Sequence, residues 1–319
     1  MTLGWSYSNF DAVIFENSQI RVTVLPEVGA KIHEIIDKRI DQDLLFHHPR
    51  VEVRKPVFGA NVDNWWSGGI DDAFPTGQPS VVNGEELPFL GEVWSMPWTA
   101  EQLSPFSVKF SRKGVITPFL MERTMTLNPG ASFLEVDYRI TNIGTAPFPY
   151  IWGIHPTFPI GDETKLHIPA KKIWYVDGTG PQGSAPEFLA GKEPMDWPID
   201  SLAKLSDKDP LSWEYYYLSQ ISAGWLAVTN SHNDSGFAMS YDVKTFPNIH
   251  VWMVNGGWRG IRTVAVEPWT AMPSALDQAI TAGTAGTLQP HESVASSVKF
   301  IAFKPQETIN GFDQNGQPQ

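Results

Sequence analysis

The stretch Leu120–Thr141, LMERTMTLNPGASFLEVDYRIT, decides the fold class. Both of its ends, Leu120–Leu127 and Phe133–Thr141, alternate apolar and polar side chains. A period of two puts successive side chains on opposite faces of an extended chain, so each run reads as a half-buried strand. Between them, NPGAS at Asn128–Ser132 supplies the residue types that turns demand. The pattern recurs at Gln19–Leu25, Ala30–Ile36, Ser107–Ser111, Trp225–Thr229 and Ser293–Phe303, with turn chemistry at Asn142–Pro149 and Asn255–Gly257. Helical periodicity is confined to two short candidates, Asp200–Leu205 and Met272–Ile280. No strand–helix–strand alternation appears, which argues against a parallel nucleotide-binding sheet. The pattern predicts an all-β chain, one large antiparallel β-sandwich of two sheets over residues 1–305. The segment Asp177–Asp209, rich in Gly, Pro, Ser and Asp, reads as a surface insertion, and the polar tail 306–319 is expected to fray.

Composition narrows the function. The formal net charge of −12 disfavours nucleic acid, anionic membranes and phosphorylated substrates, all of which want a basic patch. Cysteine is absent, so disulfides, thiolate catalysis and Cys-bound metals are excluded. Met1–Phe10 lacks the basic and apolar regions of a signal peptide, and no run reaches membrane-span length, so a cytoplasmic location is expected. Thirteen Trp exceed what a core ordinarily uses, and indoles at wet surfaces form stacking floors for sugars. No HxH or HExxH spacing, GxSxG elbow or P-loop is present, so neither a metal nor a cofactor is expected.

Two apolar runs end in a titratable residue followed by proline. In Tyr150–Pro159, YIWGIHPTFP, residues Ile151, Gly153 and His155 share one face. Gly153 leaves an open space beside the imidazole, and Pro156 holds His155 extended. In Ile261–Ala271, IRTVAVEPWTA, Glu267 shares a face with Thr263 and Ala265, and partial burial would raise its pKa. A histidine and a carboxylate facing one cavity make an acid–base couple. The plain alternatives are a core histidine bonded to a carbonyl and a glutamate paired with Arg259 or Arg262. In Asn64–Thr76, NWWSGGIDDAFPT, Trp66 offers a flat ring while Asp71 and Asp72 offer hydroxyl acceptors, or else solvated loop charges. Glu92 and Trp94 share a strand face in Leu87–Thr99, LPFLGEVWSMPWT, and Trp252 and Trp258 are further stacking candidates.

Taken in order, Glu16–Ile36, GGIDDAFPT, GEVWSMPW, TNIGTAPFPYIWGIHPTF and VAVEPWTAMP resemble the aldose 1-epimerases, the galactose mutarotase-like group. The resemblance implies a galactose mutarotase-like supersandwich with a sugar cleft across one sheet. It implies that His155, in the segment matching WGIHPTF, is the general acid and that Glu267, in the segment matching VEP, is the general base. A second active-site histidine common in the family falls at Leu90 here. The arginines of the phosphosugar branch fall at Ser67 and Trp94. The implied substrate is therefore a small non-phosphorylated carbohydrate, with a non-catalytic carbohydrate-binding protein as the alternative.

Overall fold

The computed structural model describes residues 2–178, 193–206 and 211–319. The opening stretch folds as its alternation demands. Phe119–Thr126 pairs antiparallel with Phe133–Asn142, from Phe119 opposite Asn142 to Thr126 opposite Glu135. Met121 and Met125 on one strand, and Val136, Tyr138 and Ile140 on the other, are buried on the inward face. These strands belong to a sheet that has nine strands among the described residues. A second sheet has twelve. One apolar core runs between them, from Val22, Val24 and Ile35 to Val298 and Phe300. Trp152 fills its centre, edge-on to Tyr138 at 5.2 Å and to Phe246 at 4.7 Å.

The middle of the larger sheet runs, in spatial order, Lys31–Asp37, Ile70–Ala73, Gly153–Pro159, Arg262–Trp269, Asn248–Asn255 and Ser212–Ser219. All of these neighbours pair antiparallel. Five consecutive residues from Val264 to Pro268 are buried, as are the six from Gly153 to Phe158. One face packs on the sandwich core, and the other is covered by loops and by a helix, Leu276–Ala282. That helix, foreshadowed at Met272–Ile280, ends where Gly283 turns left-handed at φ 71°. No described helix is long and apolar enough to cross a membrane.

Two expectations need correction or restriction. The C-terminal tail packs rather than frays. Ile309 is buried, and Phe312 meets Phe303 at 5.0 Å and Trp225 at 5.9 Å. Two apolar residues inside a polar stretch are enough to anchor it to the smaller sheet. Of the insertion expected at Asp177–Asp209, residues 179–192 and 207–209 lie outside the described residues. The described part includes a short helix, Asp200–Ala203, beside a buried Trp197.

Candidate active site

Register sets the site. Ile32 stands opposite Ile70, His155 opposite Asp71, and His250 opposite both Glu267 and Tyr217. Gly153 pairs with Trp269 and Thr157 with Ala265, which places His155 opposite Glu267. Lys31, Asp71, His155, Glu267, His250 and Tyr217 thus form one row straight across six strands, on the face turned away from the core. Ile154, Val251, Val266 and Leu218 occupy the other face and join the core.

The row opens into a cavity of about 700 Å³, within the roughly 300–1,000 Å³ of ligand sites. His155 and Glu267 both line it, with His155 Nε2 3.6 Å from Glu267 Oε1. Glu267 Oε2 accepts a hydrogen bond from Trp269 Nε1 at 2.9 Å. Burial pushes the Glu267 carboxyl up to about 8, with the indole N–H opposing. Burial pulls His155 down to about 4, and the Lys31 ammonium pulls the same way. Both groups are therefore driven toward their neutral forms by desolvation. Trp66 stands edge-on to His155 at 6.1 Å and to Trp252 at 5.7 Å, and Trp252 meets Trp258 at 5.7 Å. The carboxylates Asp63 and Asp177 also line the cavity, and no Lys or Arg does among the described residues.

This geometry sits in a chain whose residues 11–300 match the sequence model of aldose 1-epimerase. The chain belongs to the aldose 1-epimerase family. Its fold is shared with solved structures. The Slr1438 protein of Synechocystis sp. superposes with a TM-score of 0.69 at 17% identity, covering 96% of this chain and 100% of that one. A galactose mutarotase-like protein from Clostridium acetobutylicum gives 0.70 at 13% identity, covering 95% and 98%. One from Lactobacillus casei gives 0.63 at 17%, covering 92% and 100%. At such identities the likeness is one of fold.

Within this family member the seven expected sugar-binding residues divide. Trp66, Trp252 and Trp258 line the cavity. Asp71, Asp72, Glu92 and Trp94 do not, and each has another partner. Asp71 is bonded to Lys31 Nζ with its side chain fully buried. Asp72, one residue on, points to the opposite face and into the core, where Arg123 meets it from the other sheet. Glu92 accepts the backbone N–H groups of Val115, Ile116 and Thr117 at 2.6, 2.6 and 2.9 Å. Trp94 is buried and donates to Phe89 O at 2.9 Å. All four are buried and lie outside the cavity lining.

The open space expected beside His155 is also filled. The Trp269 indole lies over Gly153, where any Cβ would collide with its ring. Trp269 stacks in turn on His250, at 4.8 Å and 12°. His250 Nε2 lies 3.0 Å from Ala271 O, and burial drives its pKa down to about 3, so the ring is a neutral donor to that carbonyl. Trp269, Trp213, Tyr215 and Tyr217 are lining residues that the sequence reading missed. The signal for Trp269 was present: it lies two residues after Glu267 and so shares its face. Leu90 lines the cavity, putting an apolar side chain where the resemblance implies a histidine, whereas Ser67 is buried outside the lining.

Proposed function

We propose that this chain is an aldose 1-epimerase that interconverts the anomers of a non-phosphorylated sugar by acid–base ring opening. The observation that carries the reading is the 3.6 Å separation of His155 Nε2 and Glu267 Oε1 in the wall of an aromatic cavity. The anomeric hydroxyl oxygen and the ring oxygen of a cyclic aldose are bonded to the same carbon. Two titratable groups this close reach both oxygens together. Glu267 takes the hydroxyl proton while His155 protonates the ring oxygen, and the C1–ring-oxygen bond breaks. The aldehyde turns about C1–C2, and the reverse transfers close the ring on its other face.

One dissociable proton shared by the pair suffices for this cycle. Burial favours Glu267 as its holder and a neutral His155. Sugar hydroxyls entering beside the carboxylate stabilise its charge and move the proton to His155. Asp63 supplies a hydroxyl acceptor, and Trp66, Trp252 and Trp258 supply ring faces for C–H groups. A lining without cations, among the described residues, suits an uncharged ligand.

The test is anomer exchange by NMR across a panel of free aldoses. Glu267→Gln is expected to lose ~10²–10⁴-fold in exchange rate, with sugar affinity by tryptophan quenching held within a few-fold. Normal exchange in that variant would refute the assignment. The presence of Leu90 in the lining favours one rival, a sugar-binding protein without turnover. Saturable quenching with no acceleration of exchange by the native protein would select it.

A further inference from the structure

The cavity extends well beyond the pair in its wall. His155 and Glu267 belong to the row that crosses the sheet, whereas much of the aromatic lining lies to one side of that row, further along the strands. Tyr217, Tyr215 and Trp213 alternate on strand Ser212–Ser219, so all three share its cavity face. Tyr217 stands in the row itself, opposite His250. Tyr215 is one step out, between Trp252 and Asp177 on the flanking strands, and Trp213 is two steps out. At the rise of a strand, the stretch from Tyr217 to Trp213 covers roughly 13 Å. A pyranose assembled from ~1.5 Å bonds measures only about 5–6 Å between its outermost oxygens. A chain of rings leads the same way, from His155 to Trp66 at 6.1 Å, from Trp66 to Trp252 at 5.7 Å and from Trp252 to Trp258 at 5.7 Å.

We propose that the substrate is a disaccharide or longer chain with a free reducing end: the reducing unit sits at His155 and Glu267, and the next unit occupies the aromatic arm between Trp213, Trp252 and Trp258. The assignment rests on reading His155 and Glu267 as the acid–base pair, and three features support it. First, the space is there. A volume of about 700 Å³ lies in the upper half of the range for small-ligand sites, and the arm is longer than one sugar ring. Second, the arm is built in advance. Arg259 stacks on Trp258 at 4.6 Å and donates to Asp63 O and, at 3.1 Å, to Asn64 Oδ1. The turn that carries Trp258 is thereby tied to the segment that carries Asp63 and Trp66. Rings already held in place lose little freedom when a ligand arrives. Third, the reaction tolerates the extension. Ring opening uses only the anomeric hydroxyl and the ring oxygen, so a chain attached elsewhere on the reducing unit leaves both reacting oxygens free.

The chemistry of the arm selects its occupant. Indole faces meet the C–H faces of a sugar ring. Asp63 and Asp177 line the same arm and accept hydroxyl protons. An apolar ligand would strip water from those carboxylates without replacing its hydrogen bonds. An anionic one would meet two like charges and, among the described residues, no Lys or Arg in the lining. A neutral sugar unit satisfies both the rings and the carboxylates.

The experiment compares each monosaccharide with disaccharides that carry it at the reducing end: glucose with maltose and cellobiose, galactose with β-1,4-galactobiose. The full-length protein is assayed for anomer exchange by NMR and for affinity by tryptophan quenching. In at least one set the disaccharide is expected to bind ~10-fold more tightly and to show a kcat/KM higher by a similar factor. Monosaccharides bound and exchanged at least as well in every set would overturn the proposal. Tighter disaccharide binding with no exchange of any sugar would uphold the arm and refute the acid–base reading, so the two fail separately. Trp213→Ala supplies the second arm of the test. Its preference for disaccharide over monosaccharide is expected to fall ~10-fold, toward parity. A folded Trp213→Ala protein with the native preference would equally overturn the proposal. Should that variant not fold, the preference of the native protein decides alone.

Discussion

Replacing Gly153 by Ala tests whether Trp269 is part of the site or merely packing near it. The new methyl would enter the Trp269 indole, and even the third-nearest ring atom, Cε3, lies only 2.6 Å from the added Cβ. Ordinary contact begins near 3.4 Å and the nearest ring atoms, Cδ2 and Cε2, lie at 2.3 Å, so the ring must withdraw by at least 1.1 Å (3.4 less 2.3) if the backbone stays put. The withdrawal breaks two contacts at once: the 2.9 Å bond from Nε1 to Glu267 Oε2 and the 4.8 Å stack on His250. Overpacking of this kind costs ~1–3 kcal/mol of stability. A displacement near 1 Å beside reacting groups costs ~10²-fold in rate. Losing the indole donor also removes the one interaction that lowers the Glu267 pKa, so the upper limb of the pH profile should move above its native position. Stability is read by urea unfolding and rate by anomer exchange across pH. The double variant Gly153→Ala/Trp269→Leu relieves the clash but loses the buried indole and its bond to Glu267, so it should not regain the rate. A single variant with native stability, native rate and an unmoved upper limb would show that Trp269 neither fills this space nor tunes Glu267.

Two further outcomes follow from the geometry. Between about 4 and about 8 the His155–Glu267 pair holds one dissociable proton. Raising pH through about 8 removes it and leaves no acid, and lowering pH through about 4 adds a second and leaves no base. The kcat/KM for anomer exchange should therefore be bell-shaped, its limbs belonging to the pair rather than to either residue; a rate that climbs steadily from pH 7 to 10 would refute this. Asp72→Asn should destabilise the fold by ~3–5 kcal/mol in urea midpoints, because it strands the buried Arg123 guanidinium, whereas Asp72→Leu/Arg123→Met should recover most of the loss; a single variant within experimental error of native stability would dismiss the ion pair's role.

The sandwich was legible because alternation is written into the strands themselves. Met121, Met125, Val136 and Ile140 all turn inward, as their period of two requires. The convergence of His155 and Glu267 on one cavity was foreshadowed because a titratable residue at the end of an apolar run is unusual on packing grounds. The aspartates were read less well, although the sequence held the clue. Asp71 and Asp72 are adjacent in a strand, so at most one can face a given cavity. Arg123 sits at an inward position between Met121 and Met125, and a charge there demands a partner from the opposing sheet. Asp72 is that partner, 51 positions away. Glu92 had no such signal. It serves three amides of the segment Val115–Thr117, a backbone feature that side-chain pattern does not encode. The place of Trp269 depended on knowing that strand Arg262–Trp269 lies beside Gly153, which only the register reveals.

The same register explains why only one imidazole and one carboxylate of a longer polar row reach the cavity. An antiparallel sheet sets facing residues side by side, so each group in the row becomes its neighbour's environment. Lys31 neutralises Asp71 at one end. At the other, Trp269 and Tyr217 flank His250, whose Nε2 is spent on Ala271 O. The Asp71 side chain has no exposure and His250 has none, whereas the His155 and Glu267 side chains retain 10% and 5%. Among the row's imidazoles and carboxylates, those two alone meet the cavity. They are dry enough to be held neutral and open enough to touch a ligand. They also sit on two central, hydrogen-bonded strands rather than on loops, which holds their separation to what the backbone allows. A carboxyl poised near 8 beside an imidazole poised near 4 is costly to build. The ion pairs and backbone contacts around it hold that arrangement in place.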